Sequence, residues 1–436
     1  MTDSARTGKP GLAARRAALQ ILRGVLEDRT QMSDLVASSG FLSGLAPEDR
    51  ARAQRLATTT LRHLGQADTL IDRYVDKSPP VPARNILRLA AVELCVLGEA
   101  AHGVVDSAVT LMRKNRKGGQ MTGLANAVLR KIADEGAELW AELPPQTLPK
   151  WLRRRIVHIY DEQIVRDIEA AHLRGAPLDL TLKNDLDPVE WAASLQAEIL
   201  PTGTLRIDRS AQVTDLPGYH DGSWWVQDAA AALPVRMLGN VSGLTALDLC
   251  AAPGGKTLQL ISGGAEVTAL DHSQSRMKRL RENMRRTNLD AKVVVADALE
   301  WQAEEQFDLV VLDAPCSATG TIRRHPDLPF VKTGKELHDV FALQSDLIDR
   351  AVDLLKPGGR LLYCTCSLLT EEGERQAKLA IERHGLLQLP VEIDALGVPE
   401  TWVRDGGGLR TRPDLWQICG GIDGFFMIVL KKPVSC

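Results

Sequence analysis

Aromatic side chains are scarce in this chain. Phe, Trp and Tyr make up 4% of 436 residues, too few for an extended row of base-stacking platforms. Net charge is small as well: the formal balance of -3 excludes a polybasic nucleic-acid coat and leaves room only for local basic faces. No run of about 18 apolar residues occurs, so no membrane partner is expected. The first 30 residues hold Arg6, Lys9, Arg15, Arg16 and Arg23 without the apolar stretch and cleavage site of a secretory signal, and the reading is a cytoplasmic protein. Seven cysteines, an odd number scattered along the chain, make no disulfide framework and fit a reducing compartment with free thiols.

What is present is an ordinary globular composition, 44% hydrophobic and 25% charged, over a length that predicts two or three domains of roughly 100–200 residues. Charge is unevenly divided. Residues 1–170 carry 25 Lys plus Arg and 20 Asp plus Glu, a net of +5, against -8 for the remaining 266. The basic part reads as helices: Ala17, Ile21 and Val25, then Leu56, Thr60 and Leu64, recur at helical spacing, and Ile86, Leu89, Ala90, Leu94 and Leu97 form a broad apolar face. Turns are marked at Ser78-Pro79-Pro80 and Lys117-Gly118-Gly119, and Leu143-Pro144-Pro145 marks a linker. The expected organisation is a helical bundle over 1–142, a linker and small α+β module over 143–223, and an α/β domain over 224–436. The module is expected to hold strands at Leu178 to Leu182 and Thr204 to Arg209, with a helix from Pro188 to Leu195.

From residue 224 apolar strands alternate with helices. Strands are expected at Thr245 to Leu249, Glu266 to Asp271, Lys292 to Ala296, Asp308 to Leu312 and Gly359 to Cys364, with helices at Gln274 to Thr287 and Lys335 to Leu355. This alternation predicts a parallel, doubly wound sheet, which binds ligands outside the carboxyl ends of its strands. The chemistry-bearing motifs fall at those ends. LDLCAAPGGKT, Leu247 to Thr257, turns from the first strand into a helix. It is neither a Walker A loop, since position 250 is Cys where that pattern needs Gly, nor GxGxxG. Asp271 closes the next strand 23 residues after Asp248, near the offset at which a carboxylate reaches a ribose diol, and Asp297 closes the strand after that. Acidic strand ends are also common helix caps; with the glycine turn they describe a nucleoside-binding edge. DAPCSATG, Asp313 to Gly320, follows the fourth strand and CTCS, Cys364 to Ser367, ends the fifth. Asp313, Cys316, Cys364 and Cys366 are therefore expected on one sheet edge. Residue type alone leaves each thiol open to two readings, nucleophile or inert packing. Cys-x-Cys without a matching pair or nearby His does not predict a metal site.

In combination, LDLCAAPGGKT, DAPCSATG and the TCS of CTCS resemble the motif set of S-adenosylmethionine-dependent RNA cytosine carbon-5 methyltransferases. WWVQDAAAALP, Trp224 to Pro234, resembles the segment preceding the nucleotide fold in that family, and ILRLAAVELCVL and GLANAVLRKI resemble the NusB RNA-binding fold. The layout is similar to the bacterial small-subunit rRNA methyltransferase B group. The resemblance implies a multidomain protein: an all-α NusB-like bundle, a small α+β RNA-binding module and an α/β Rossmann-like methyltransferase domain. It implies S-adenosylmethionine as cofactor, lined by Cys250, Ala251, Ala252, Pro253, Gly254, Gly255 and Lys256, with Asp271 at the ribose, Asp297 at the adenine side and Asp313 between cofactor and base. The implied partner is 16S rRNA or a ribosome-assembly intermediate, met by a monomer.

Carbon 5 of cytosine is a poor nucleophile, so the ring is activated by adding a thiolate at carbon 6 while nitrogen 3 gains a proton or hydrogen bond. Asp313 is the candidate for nitrogen 3, with Lys256 in electrostatic support. In the RNA family the nucleophile is the Cys of TCS, here Cys366, and the Cys of DAPCS, here Cys316, assists elimination; the DNA enzymes instead use a Pro-Cys pair, which selects Cys316. The RNA-type pattern favours Cys366, and Cys364, where the family often has a small residue, is read as packing. Basic runs at Arg113-Lys114-Asn115-Arg116-Lys117, Arg153-Arg154-Arg155 and Arg276 to Arg286 read as solvated surface patches; Arg323-Arg324-His325 is the exception, since it follows DAPCSATG and resembles a family segment at the active-site rim, where phosphate contacts position RNA. The rival readings are a tRNA cytosine methyltransferase, a methyltransferase of protein or small molecules, and a non-catalytic NusB-like RNA-binding factor.

Overall fold

The apolar spacing of the first part of the chain folds as helices. A computed structural model describes residues 11–38, 40–115, 119–207 and 212–434. They fall into two compact units: one holds residues up to 154 with 162–174 and 322–333, the other holds 155–161, 175–321 and 334 onward. Where three consecutive segments were expected, the small β module joins the α/β unit, and a short segment after residue 321 joins the helical one.

The long helices of the first unit are Leu12–Leu26, Pro47–Arg62, Val81–Cys95, Ala101–Lys114 and Thr122–Ala141. Ala17, Ile21, Val25, Leu56, Thr60, Ile86, Leu89 and Ala90 are buried, and Leu94 and Leu97 half-buried. Leu64 does not continue the helix of Leu56 and Thr60: His63, at φ -110° and ψ 19°, ends it, and Leu64–Asp72 is a new helix. One buried ion pair crosses this core. Arg15 Nε donates to both Glu93 oxygens at 3.0 and 2.9 Å, offsetting the burial that pushes the Glu93 carboxyl up. The segment after residue 321 packs Phe330 and Val331 on the same core. Its Asp327 accepts the Met32 N–H at 2.9 Å and its Arg323 carbonyl accepts from Arg62 at 2.8 Å.

The second unit begins with a small antiparallel sheet. Its strands are β1 (Leu178–Leu182), β2 (Glu198–Ile199), β3 (Leu205–Ile207) and β4 (Trp224–Val226), in the order β2-β3-β1-β4. The expected strand to Arg209 is described only through Ile207; residues 208 and 209 lie outside the described residues. Asp179 and Arg206 face each other across β1 and β3, both buried, and join through two 2.7 Å hydrogen bonds. Such a cross-strand pair fixes register, because a one-residue slip would leave both charges buried and unpaired.

The large sheet holds β5 (Thr245–Leu249), β6 (Glu266–Asp271), β7 (Lys292–Val295), β8 (Phe307–Asp313), β9 (Leu355–Thr365), β10 (Leu387–Gln388), β11 (Leu409–Arg410) and β12 (Phe426–Lys431). Its order is β10-β12-β9-β8-β5-β6-β7, with β11 beside β12. From β5 through β9 all pairings are parallel. The fully parallel expectation is corrected at one edge, where β12 pairs antiparallel with β9 and β10 and β11 pair antiparallel with β12. The order reverses between β5 and β8, so the crevice outside their carboxyl ends is the topological switch point. Among the described residues, no helix is long and apolar enough to cross a membrane.

Candidate active site

The turn after β5 is built on backbone conformations that ordinary residues avoid: Cys250 has φ +61° and Gly254 φ +108° before helix Gly255–Ser262 begins. Non-glycine residues in the left-handed region concentrate at ligand clamps, where surrounding contacts hold them. Here the Leu270 carbonyl accepts the Ala251 N–H at 3.0 Å, and Asp271 Oδ2 accepts the Ala252 N–H at 3.2 Å while its Oδ1 accepts the Ser273 N–H at 2.8 Å. Arg276 donates to the Ala252 carbonyl and lies 3.4 Å from Asp271 Oδ2. Within the motif, Thr257 Oγ1 donates to Asp248 Oδ2 at 2.6 Å, but the buried Asp248 Oδ1 has no hydrogen-bond partner among the described residues, and burial pushes this carboxyl up to about 7. Asp297 is exposed, and its Oδ1 accepts the Leu299 N–H at 2.9 Å.

At the ends of β8 and β9, Asp313 stands opposite Cys364 in register. Lys256 Nζ donates to Asp313 Oδ2 at 2.7 Å, and the Cys364 thiol donates to Asp313 Oδ1 at 3.7 Å. Burial pulls the Lys256 ammonium down, but Asp313, Cys364 and Asp248 together outweigh it, and the net shift is upward. Cys316 and Cys366 meet with sulfurs 3.3 Å apart, both half-buried. The hydrogen bond with Cys366, reinforced by burial, pushes the Cys316 thiol well above its ordinary range. The two loops are stitched along their length. Cys364 carbonyl accepts the Ala314 N–H at 2.9 Å, Cys366 carbonyl accepts the Gly320 N–H at 3.0 Å, and Thr319 Oγ1 accepts the Leu368 N–H at 2.9 Å. Gly320 must be glycine, since an added Cβ would fall 1.9 Å from the Gly424 carbonyl oxygen.

A model of the NusB family matches residues 12–134, and a model described as 16S rRNA methyltransferase RsmB/F matches residues 235–430. Ribosomal RNA small subunit methyltransferase B of Cronobacter sakazakii is 33% identical over 450 residues, covering 97% of this chain and 100% of the relative. The chain belongs to the RsmB/F methyltransferase family. The protein of the same description from Vibrio vulnificus is also 33% identical, over 96% of this chain and 99% of its own. In fold, the protein is similar to the solved structure of PH0851, with a TM-score of 0.74 and 23% identity over 98% of this chain and all of that one. The structure of NSun6 from Pyrococcus horikoshii with SFG matches at TM-score 0.57 and 18% identity, covering 66% and 99%.

This family of methyltransferases draws on S-adenosylmethionine, and the turn after β5 fits such a ligand: it leaves a buried Asp248 oxygen without a donor among the described residues, beside a strained, clamped backbone. In this RsmB/F protein, Lys256 and Asp313 touch, Cys316 and Cys366 touch, and Asp271 binds the backbone of the turn holding Cys250 to Gly255. Three features differ from the sequence reading. Cys364 contacts Asp313 as well as packing. Arg323 is buried in the helical unit, while Arg324 is half-buried and His325 exposed. Arg153 is engaged by Glu162 and Glu169, and Arg155 by Glu371. Of the run at 113–117, Arg113 and Lys114 are exposed, and residues 116 and 117 lie outside the described residues. Sequence reasoning named Arg276 only as the start of a basic run and not as a partner of Ala252 and Asp271, and it missed Glu372, whose buried carboxylate lies behind both cysteine loops. Nothing in the local pattern around Glu372 separates it from the neighbouring Glu371 and Glu374.

Proposed function

We propose that this protein methylates carbon 5 of a cytosine in small-subunit rRNA through a covalent bond between Cys366 and carbon 6 of the base. The observation that carries the reading is the meeting of the Cys316 and Cys366 sulfurs at 3.3 Å on the sheet edge that also brings Lys256 to Asp313 at 2.7 Å. S-adenosylmethionine, when bound, supplies an electrophilic methyl group on a sulfonium. The residues assigned to hold it are Cys250 to Lys256, Asp271 and Asp297, with Asp313 facing the base.

The chain's own groups then have distinct tasks. Cys366 attacks carbon 6 as a thiolate, and nitrogen 3 gains a proton or hydrogen bond from the Asp313 carboxyl, with Lys256 in electrostatic support at their 2.7 Å contact. Carbon 5 becomes enamine-like and takes the methyl group as the methyl–sulfonium bond breaks, leaving a neutral thioether. The carbon-5 proton then passes to the Cys316 sulfur as Cys316 hands its own proton to the departing Cys366 thiolate, nitrogen 3 returns its proton to Asp313, and the ring regains aromaticity. The upward shift of Cys316 supports its role as the protonated partner that assists this elimination. Exposed Arg16 and Arg23 beside Lys114 line one groove of the helical unit and support phosphate contact there. The test is bisulfite mapping of 16S rRNA incubated with purified protein and S-adenosylmethionine. One new protected cytosine is expected, and an unchanged map ends the reading.

A further inference from the structure

Each of the two proposed reactive cysteines is followed by a serine, and both serines end on one carboxylate. Glu372 is fully buried. Its Oε2 accepts the hydroxyls of Ser317, at 2.5 Å, and Ser367, while its Oε1 accepts the Ser317 N–H at 2.8 Å and Gln344 Nε2 at 3.2 Å. The two serine hydroxyls are themselves 3.0 Å apart, with Thr319 Oγ1 within 3.3 Å of both. Glu372 is also held from behind: Tyr363 on β9 donates its hydroxyl to the Glu372 carbonyl at 2.6 Å. Gln344 donates as well to the carbonyl of Pro315, the residue before Cys316, at 2.8 Å.

We propose that Glu372 is a positioning residue that sets the spacing of the Cys316 and Cys366 sulfurs by gripping the serine after each. The proposal rests on the cytosine methyltransferase reading for its consequence, but its geometry stands apart from it. Cys316 and Cys366 lie 50 residues apart on separate strand-end loops; β8–β9 pairing fixes the strands beneath them, the Gly320 N–H to Cys366 carbonyl and Leu368 N–H to Thr319 bonds join the loop backbones, and the serine beside each sulfur is held by Glu372. Glu372 touches neither sulfur in the contacts above, so it acts through Ser317 and Ser367. Burying a carboxylate is costly unless donors saturate it. Here three of its four donors come from the two cysteine loops, so the charge holds those loops to each other. Displacing a reacting group by about 1 Å costs on the order of 100-fold in rate, which is the effect expected if this grip is lost.

The test compares wild type with Glu372→Gln, which keeps shape but removes one acceptor, and with the pair Ser317→Ala and Ser367→Ala. Glu372→Gln is expected to lower kcat by about 100-fold while KM for S-adenosylmethionine and for RNA moves by less than about 3-fold. Adding Glu372→Gln to the double serine variant is expected to cost less than about 3-fold more, since both changes break one linkage. A readout free of activity is phenylarsine oxide, which bridges two adjacent thiols with loss of water. Its affinity for the wild-type pair is expected to fall at least about 10-fold in Glu372→Gln, with Cys366→Ala as the non-bridging control. Wild-type kcat or wild-type arsenical affinity in Glu372→Gln, or additive losses with the serines, overturns the proposal. If Glu372→Gln does not fold, the single serine variants carry the same arsenical and kcat comparison. A wild-type protein that methylates no RNA refutes the proposed activity, and the arsenical comparison still decides the spacing role.

Discussion

Glu372 and Asp248 are two buried carboxylates of the same unit, and they are served very differently. Glu372 accepts four hydrogen bonds, from Ser317 twice, Ser367 and Gln344. Asp248 accepts one from Thr257, and among the described residues its second oxygen has none. A saturated carboxylate holds the groups around it and behaves as part of the frame. An undersupplied one is pushed up by burial, here to about 7, and is left to be completed by a proton or by a donor that a ligand brings. The thiol corner is thus saturated from within the chain, whereas the carboxyl beside the glycine turn is not.

The largest expected effect removes what the saturated corner serves. Cys366→Ala should lower methyl transfer by about 10⁴-fold or more and form no adduct with RNA. Cys316→Ala should instead accumulate a protein–RNA adduct that survives denaturing electrophoresis. An adduct formed by the Cys366 variant would exchange the two assignments. Glu372→Gln comes next, in the kcat and arsenical measurements described above. On the unsaturated side, Asp271→Ala should weaken S-adenosylmethionine by about 10–100-fold in calorimetry, the usual size of a lost charged hydrogen bond. An unchanged affinity would remove Asp271 from the cofactor edge and reduce its part to holding the Ala252 N–H.

The smallest effect tests Asp248 through pH. Its folded carboxyl titrates near 7, above the roughly 3.9 of an unfolded Asp, so between about pH 4 and 7 the folded state keeps a proton the unfolded state has lost. The associated stability is fully present at the acid end of that window and is lost as pH rises through it. Asp248→Asn should therefore gain melting temperature relative to wild type between pH 5 and pH 8, by roughly 5–10 °C, from about 2–3 kcal/mol at about 2–4 °C per kcal/mol for a domain of this size. A constant difference across that range would show that Asp248 is ionised and served in the folded protein, and the contrast with Glu372 would close.

Much of the architecture was legible beforehand because it is local. Five strands of the large sheet and the helix Gln274–Thr287 follow from runs and turns a few residues long, and their observed ends differ from expectation by a few residues at most. Asp313, Cys316 and Cys366 converge because parallel strands put their carboxyl ends on one edge. The direction of β12 was not legible. Phe426–Lys431 is a buried apolar run, and such a run reads as a strand without saying which way it pairs. Arg323 misled for a related reason: the chain after Gly320 leaves the motif and packs with the helical unit, a choice set by Phe330 and Val331 finding a core far away in sequence.

The sequence by itself determined which chemical groups stand at the strand ends, since alternation, turn residues and motif order are all carried within short stretches of chain. Tertiary structure decided what those groups meet. That Cys316 lies 3.3 Å from Cys366, that Cys364 reaches Asp313, and that Glu372 rather than Glu371 or Glu374 gathers both serines are consequences of strand register and loop packing. These set contacts a few ångströms long, held to within a few tenths of an ångström, between residues tens of positions apart, and no local pattern encodes them.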